Sequence, residues 1–453
     1  MLAVMAFGSL MTIVTVSLDE IATDLGSDRT TLTWMITGLM VAMAVCTPLA
    51  GKLGDLRGHR LIFLIGLGGG AVTTLGAALA WDATSIIVLR VLFGVTGALL
   101  MPSGMALMMH AYGPQRRAAA MGWFQFANTG APTLGLVAGG PLIEVIGWRG
   151  MFVVFAGVTA AALVLGIRLI RPIPRQADTE LDYLGAATLA AVVLTGLLAL
   201  TRATTLLRDE GPLAALADAA TLALVTASVV SLVGFVLVEQ RATQPMLALR
   251  YFRRRNFTLP IVSSAAGQFA YMGGFVVTPA LLASEFGYGV GAIALLMTPR
   301  PGAVSLASPL GGNLAAAIGE RRPMVGGAAV MVGAMAAFAG GAATGGGTGI
   351  ALIVVGLVLT GVSAGIAQPA VTSMVVDAVD HRDMGIATGM AQQIMFIGVV
   401  SGIQTMNVLV GDDATAGRFV LTYALGAVVA AVGLAAALGT SDADRRALTV
   451  AAT

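Results

Sequence analysis

The sequence predicts an all-α integral membrane protein with 14 transmembrane helices, built as two pseudo-symmetric six-helix bundles plus two inserted helices. Three observations predict it. The chain of 453 residues is 57% hydrophobic and only 11% charged, whereas a soluble domain carries roughly 25% charged residues. So few charges cannot cover a water-soluble globule of this size. The apolar residues also fall into fourteen runs, each close to the roughly 20 residues that span a bilayer. Finally, short motifs recur in the two halves of the chain at a nearly constant offset.

The first run, 1–18, has no basic residue ahead of it, and Asp19, Glu20 and Asp24 follow where a signal-peptide cleavage site needs small residues. It therefore reads as a span, with an upstream start codon left open. Runs two and three, 32–50 and 61–80, flank a glycine-rich basic loop, Gly51–Arg60. Run four is 86–109. Run five, 118–143, follows Arg116-Arg117, and run six, 148–170, opens on Trp148-Arg149. Runs seven and eight, 183–200 and 219–238, are separated by a segment containing Arg202 and Arg208. Run nine, 257–282, follows Arg253-Arg254-Arg255, and run ten, 289–317, contains Thr298-Pro299-Arg300-Pro301. Run eleven, 324–343, follows Arg321-Arg322; runs twelve to fourteen are 349–376, 385–410 and 419–439. Only helices satisfy every backbone group across such long apolar runs, so a β-barrel is excluded.

Orientation follows from Lys and Arg. With the amino terminus inside, 18 of the 25 basic residues fall in cytoplasmic segments and five in outer ones, with Arg90 and Arg300 at membrane depth. This bias predicts that both termini are cytoplasmic. The triple arginine 253–255 reads as a topology anchor that also meets anionic lipid. No dense basic stripe exists for nucleic acid. Cys46 is alone, and His59, His110 and His381 lack metal-ligand spacing. No metal or cofactor is expected, and no cluster of acids or histidines points to an enzyme. A phosphate loop of the G-x-x-x-x-G-K-[ST] type is absent from the sequence, so ATP-driven pumping is unsupported.

Gly51-Lys52-Leu53-Gly54-Asp55-Leu56-Arg57-Gly58-His59-Arg60 and Gly312-Asn313-Leu314-Ala315-Ala316-Ala317-Ile318-Gly319-Glu320-Arg321 share the pattern G-x-L-x-x-x-x-G-x-R, 261 residues apart. Ala120-Met121-Gly122 and Ala387-Thr388-Gly389 recur 267 residues apart. Parallel repeats of this kind are a transporter architecture, with the substrate site between the repeats at the bilayer midplane. The predicted division is an amino-terminal bundle 1–175, an inserted helix pair and linker 176–250, a carboxy-terminal bundle 251–440 and a tail 441–453.

The ten-residue loop resembles the G-x-L-x-D-x-x-G-x-R signature of the major facilitator superfamily. Arg90, Gly94 and Gly97 resemble its R-x-x-x-G-x-x-G segment, and Gly135, Gly139 and Gly140 the antiporter G-P-x-x-G-G stretch, followed by Trp148-Arg149 and Phe152. Fourteen helices, Thr12-Ile13-Val14 and Trp34 resemble the fourteen-helix drug:proton antiporter branch. Leu10, Leu136, Phe93 and Ala316 stand where the patterns carry Asp, Pro, Gln and Asp. The resemblance implies the major facilitator fold and a secondary transporter of the plasma membrane. It implies alternating access and efflux of small amphipathic compounds, multidrug-type, against protons or another ion. Uptake or exchange of a small, anionic metabolite is the alternative; a sensor that binds without transporting is a third reading.

The candidate site residues fall into three sets. Gly51, Leu53, Asp55, Arg57, Gly58 and Arg60 form the loop that the resemblance makes a latch on the cytoplasmic side. There the Asp55 carboxylate is expected to meet a helix N-terminus or an arginine across the boundary between bundles. Arg90 and Arg300 are costly at membrane depth and should face protein or water. Either they make the cavity positive, favouring anionic or neutral substrates, or Arg300 satisfies the Leu295 and Met297 carbonyls freed by its flanking prolines. Asp19 and Glu20 are the acids nearest the outer end of helix one and the candidates for proton coupling. Thr12, Gln125, Asn128, Gln268, Tyr271, Gln368, Gln392 and Gln393 are polar residues within spans, read as pathway lining or interhelical hydrogen bonds. Methionine and phenylalanine stripes are read as packing or lipid-facing.

Overall fold

The computed structural model describes residues 1–27, 29–32, 34–171, 183–209, 218–241, 249–380, 383–411 and 415–441. Arg175, Arg382 and tail residues 442–453 lie outside these, as do the side chains of Thr12, Asp19 and residues 131–144, which include Gly135, Gly139 and Gly140. Every predicted run is helical, and no strand occurs among the described residues. In chain order the helices are α1 (Leu2–Val16), α2 (Leu18–Asp24), α3 (Arg29–Leu32), α4 (Trp34–Arg57), α5 (His59–Ala78), α6 (Ala83–Tyr112), α7 (Arg117–Leu169), α8 (Tyr183–Asp209), α9 (Ala219–Arg241), α10 (Arg255–Ser284), α11 (Val290–Met297), α12 (Pro299–Ile318), α13 (Arg321–Thr344), α14 (Gly346–Asp377), α15 (Met384–Val410) and α16 (Ala416–Leu438). Among the described residues, ten helical segments are long and apolar enough to cross a membrane.

Two boundaries differ from expectation. The Gly51–Arg60 motif is no loop: α4 runs through Arg57, and the whole reversal occurs at Gly58, whose φ of 95° excludes a side chain. Gly319, its equivalent 261 residues on, turns the same way with φ 93°. The run 289–317 is broken into α11 and α12 because Pro299 and Pro301 supply no N–H; the Thr298 N–H closes the short turn onto Leu295. Runs five and six lie within α7 but remain two helices as expected: Gly147, with φ 66° and ψ 168°, leaves the helical conformation and breaks the chain between them.

In lipid, helix association rests on close van der Waals fit rather than on expelling water. One buried cluster gathers Phe7, Leu39, Phe63, Phe93, Phe124 and Phe152 from α1 and α4–α7. Another gathers Leu281, Met335, Phe338, Leu357, Phe419 and Tyr423 from α10, α13, α14 and α16. α8 and α9 pair with each other, and α8 also rests on α4 and α15. Between the first and second halves of the sequence, α4 meets α15, and α7 meets α12 and α14.

Those cross-contacts carry the repeat in their detail. A Cβ built on Gly122 would overlap the Ser308 carbonyl oxygen and lie 3.1 Å from Pro309 Cα. One built on Gly389 would lie 3.1 Å from the Thr47 carbonyl oxygen and 2.9 Å from Pro48 Cα. Gly122 and Gly389 are repeat mates, and so are Thr47-Pro48 and Ser308-Pro309. Each contact is thus the other with the halves exchanged, the relation a two-fold axis imposes.

Candidate functional site

A cavity of about 280 Å3 lies between helices from the two halves of the sequence. Helical spacing aims its lining inward: residues three or four apart share a face. Gln125 and Asn128 come from α7, Ser264 and Gln268 from α10, Gln368 and Thr372 from α14, and Gln392 and Met395 from α15. Met40 and Met43 on α4, Met101 and Met105 on α6, and Met121 on α7 add thioethers; Phe7, Phe124 and Phe396 add aromatic faces. Among the described residues, none of the lining is charged. Glycine positions the aromatic wall: α6 approaches α4 at Gly94, where a Cβ would lie 2.5 Å from the Leu39 carbonyl oxygen. At Gly97 the Phe7 ring occupies the space a Cβ would need. Phe7 stacks on Phe93 at 4.8 Å.

Of the polar residues singled out from sequence, Gln125, Asn128, Gln268, Gln368 and Gln392 line this cavity. Tyr271 lines a much smaller one beside it, which shares Ser264, Gln268 and Gln368 with the first. Gln393 is buried away from the lining. Gln392 reaches across the halves, Nε2 donating to Met105 Sδ at 3.4 Å.

The two intramembrane arginines do not line the cavity, so the expected cationic lining is absent among the described residues. Arg90 is 1% exposed and lies 5.1 Å from the Phe93 ring centroid; its Nε and Nη1 meet no acceptor among the described residues. Arg300 is clamped between Tyr271 and Phe275, its guanidinium carbon 3.5 and 3.9 Å from the ring centroids. It donates to the Tyr271 carbonyl at 3.3 Å rather than to Leu295 or Met297. The methionine and phenylalanine stripes, expected to be packing, supply much of the wall. Their signal in the sequence was spacing: Met40/Met43 and Met101/Met105 repeat at one helical turn on two helices.

Near Val375 and Thr388 of the lining, two contacts bridge the halves of the sequence. Asp55, 7% exposed in the last turn of α4, accepts the Gly385 N–H at 3.1 Å and faces His59 Nε2 at 3.1 Å. Gly385 lies in the first turn of α15, where backbone donors have no helical partner and the helix dipole favours an anion. A Cβ on Gly385 would lie 2.5 Å from the Gly51 carbonyl oxygen. Arg117, 7% exposed at the start of α7, pairs with Asp377 at the end of α14. Sequence reasoning missed that pair. Of the other residues of the motif, Leu53 is half-buried and Arg57 is exposed, while Arg60 donates to the Ile167 carbonyl at 2.8 Å, within the first half of the sequence. At the opposite end Glu20, exposed, accepts the Trp148 N–H at 3.4 Å, and Arg149 pairs with Asp24 at 2.9 Å.

Known proteins share both sequence and fold with this chain. The tetracenomycin C resistance and export protein of Streptomyces glaucescens is 28% identical over 404 residues, 88% of this chain and 73% of that protein. The multidrug resistance protein Stp of Mycobacterium tuberculosis is 29% identical over 399 residues, 87% and 71% of the two chains. The solved structure of the proton:xylose symporter XylE superposes with a TM-score of 0.64 at 14% identity, covering 99% of this chain and 97% of that one, a likeness of fold. The sequence profile of the Major Facilitator Superfamily matches residues 1–403 and 264–450. With a matched profile over nearly its whole length and relatives that are resistance and export proteins, this chain is a membrane transporter, not an enzyme, and belongs to the major facilitator superfamily.

Proposed function

We propose that the chain exports small, neutral amphipathic compounds carrying aromatic rings, by alternating access of the central cavity. The observation that carries this reading is the lining: thioethers, aromatic faces and amides without a charge. Methionine adapts its shape and makes favourable sulfur–aromatic contacts, which suits varied apolar ligands. The amides add hydrogen bonds that fix orientation. The resistance and export roles named for the relatives point the same way. An anionic metabolite fits less well, since no arginine among the described residues lines the cavity.

In the proposed arrangement all fourteen runs span the plasma membrane, both termini are cytoplasmic, and residues 1–175 and 251–440 form six-helix bundles that rock about the cavity. The pair within 176–250 packs outside them, and residues 441–453 form a cytoplasmic tail. The Asp55–Gly385 and Arg117–Asp377 contacts hold the cytoplasmic face shut in this state. Protons, following the resemblance, drive export, with Asp19 and Glu20 on the outer side as the acids of the coupling. Purified protein in liposomes under an imposed pH gradient, given neutral, cationic and anionic aromatic dyes of similar size, tests this. Gradient-driven movement of the neutral dye is the expected result. Movement confined to the anionic dye defeats the reading.

A further inference from the structure

We propose that Tyr251 is a positioning residue for the closed face: it holds Asp380 and Asp383, between α14 and α15, so that Asp377 and the Gly385 N–H meet Arg117 and Asp55 together. The inference rests on the proposed role of that face as a gate.

Both cross-half contacts end on one short stretch, which leaves α14 at Asp377 and enters α15 at Met384. A turn between two helices is soft unless its free carbonyls and N–H groups find partners. The partners come from the segment that leads into α10. Tyr251, 0% exposed, lies in the short 3-10 turn Leu249–Arg253. Its hydroxyl donates to Asp383 Oδ2 at 2.7 Å and accepts the Asp380 N–H at 3.3 Å. Arg254 donates to the Ala378 carbonyl at 2.7 Å, and its guanidinium carbon lies 4.9 Å from the centroid of the Tyr251 ring. Positions 378, 380 and 383 are therefore gripped from one side, while 377 and 385 bond across to the other half.

The grip has a centre. Arg250 pairs with Asp380 at 3.0 Å, but both side chains are largely exposed, and such a pair contributes little. The Tyr251 hydroxyl is buried and bonds to a carboxylate, the stronger class of hydrogen bond. Burial first, and then the bond to Asp383, raise the phenol above its ordinary pKa, so it remains a donor at neutral pH. Phe257 packs its ring 5.9 Å from that of Tyr251, so a phenylalanine at 251 keeps the aromatic contact and loses only the hydroxyl.

The test uses a Cys46→Ser background with a reporter, Thr372→Cys, in the cavity wall about a turn above Asp377. Vesicles of either orientation are labelled with a membrane-impermeant methanethiosulfonate reagent. Asp55→Asn serves as the gate control and should raise labelling from the face bearing Arg116 and Arg117. Tyr251→Phe should raise it from the same face by about tenfold or more, the equilibrium shift expected from losing one hydrogen bond to a charged group. Asp383→Asn keeps an acceptor and should stay closed; Asp383→Ala should behave like Tyr251→Phe, and the double variant no worse than either. A rise with Asp55→Asn but none with Tyr251→Phe overturns the proposal and leaves the gate standing. No rise with either removes the gate and the proposal with it. Equal labelling from both faces in Tyr251→Phe shows general loosening and overturns the positioning role.

Discussion

Gly122→Ala and Gly389→Ala each add one methyl at a place where the two halves touch backbone to backbone. At Gly389 the new Cβ would lie 2.9 Å from Pro48 Cα, against 3.4–4 Å for an ordinary contact, so the helices must separate by about 0.5 Å. At Gly122 the overlap with the Ser308 carbonyl is worse. The neighbours are backbone atoms of α4 and α12 and cannot swing aside. Overpacking of this kind costs about 1–3 kcal/mol. That cost falls only on the state in which this face is closed, so the equilibrium shifts by about 5- to 150-fold toward opening. Alanine's helix preference, about 1 kcal/mol over glycine, acts on both states and cancels. Gly326→Ala and Gly333→Ala, whose added methyls meet nothing within 4 Å, are the controls. Thiol labelling at Thr372→Cys together with dye export reads the result. Export falling and labelling rising in the first pair, with both unchanged in the controls, is expected. If Gly122→Ala and Gly389→Ala export at the normal rate and stay unlabelled, the closed-face contact has no part in the cycle.

Gln125→Glu places a charge in a lining that has none; the ratio of cationic to neutral dye transport should rise about tenfold, and an unchanged ratio places Gln125 away from the substrate. Arg300→Met keeps bulk between Tyr271 and Phe275 but removes the cation; dye affinity in a binding assay should stay within about twofold, whereas its loss would put Arg300 in contact with substrate. Asp218 caps the start of α9 by accepting the Thr221 N–H at 2.7 Å and pairs with Arg202, which holds its carboxyl far below the usual range. Because the folded pKa is depressed, this support is complete above the ordinary aspartate pKa of about 3.9 and fades as pH falls below it. Hydrogen exchange at the first turn of α9 should therefore be equally protected at pH 8 and pH 5, once corrected for intrinsic rates; loss of protection by pH 5 contradicts the pairing.

Much of this architecture could be read from composition. Apolar runs near bilayer length have to be helices, because lipid offers no partner to an unpaired amide, and helices stand at every run. The repeat was also legible: Gly58 and Gly319 matched by spacing, and each proves to be a left-handed turn. The cavity amides were legible as well, since a glutamine within a span needs somewhere polar to point. Periodicity could not tell which face of a helix meets lipid and which meets the cavity. Met105 and Leu99 are equally apolar as letters, so sequence does not separate a thioether wall from packing.

Sequence by itself determined the solvent: 25 basic and 23 acidic side chains are too few to cover 453 residues in water, which puts the chain in lipid as a set of helices. Only the tertiary structure decided where the rare charges go. Arg90 and Arg300 turned into the protein away from the cavity, and Arg117 found Asp377 across 260 residues of chain. The physical reason is that a charge in a low-dielectric interior is settled by what stands within a few ångströms of it. Those neighbours come from distant helices, and no local window of sequence contains them.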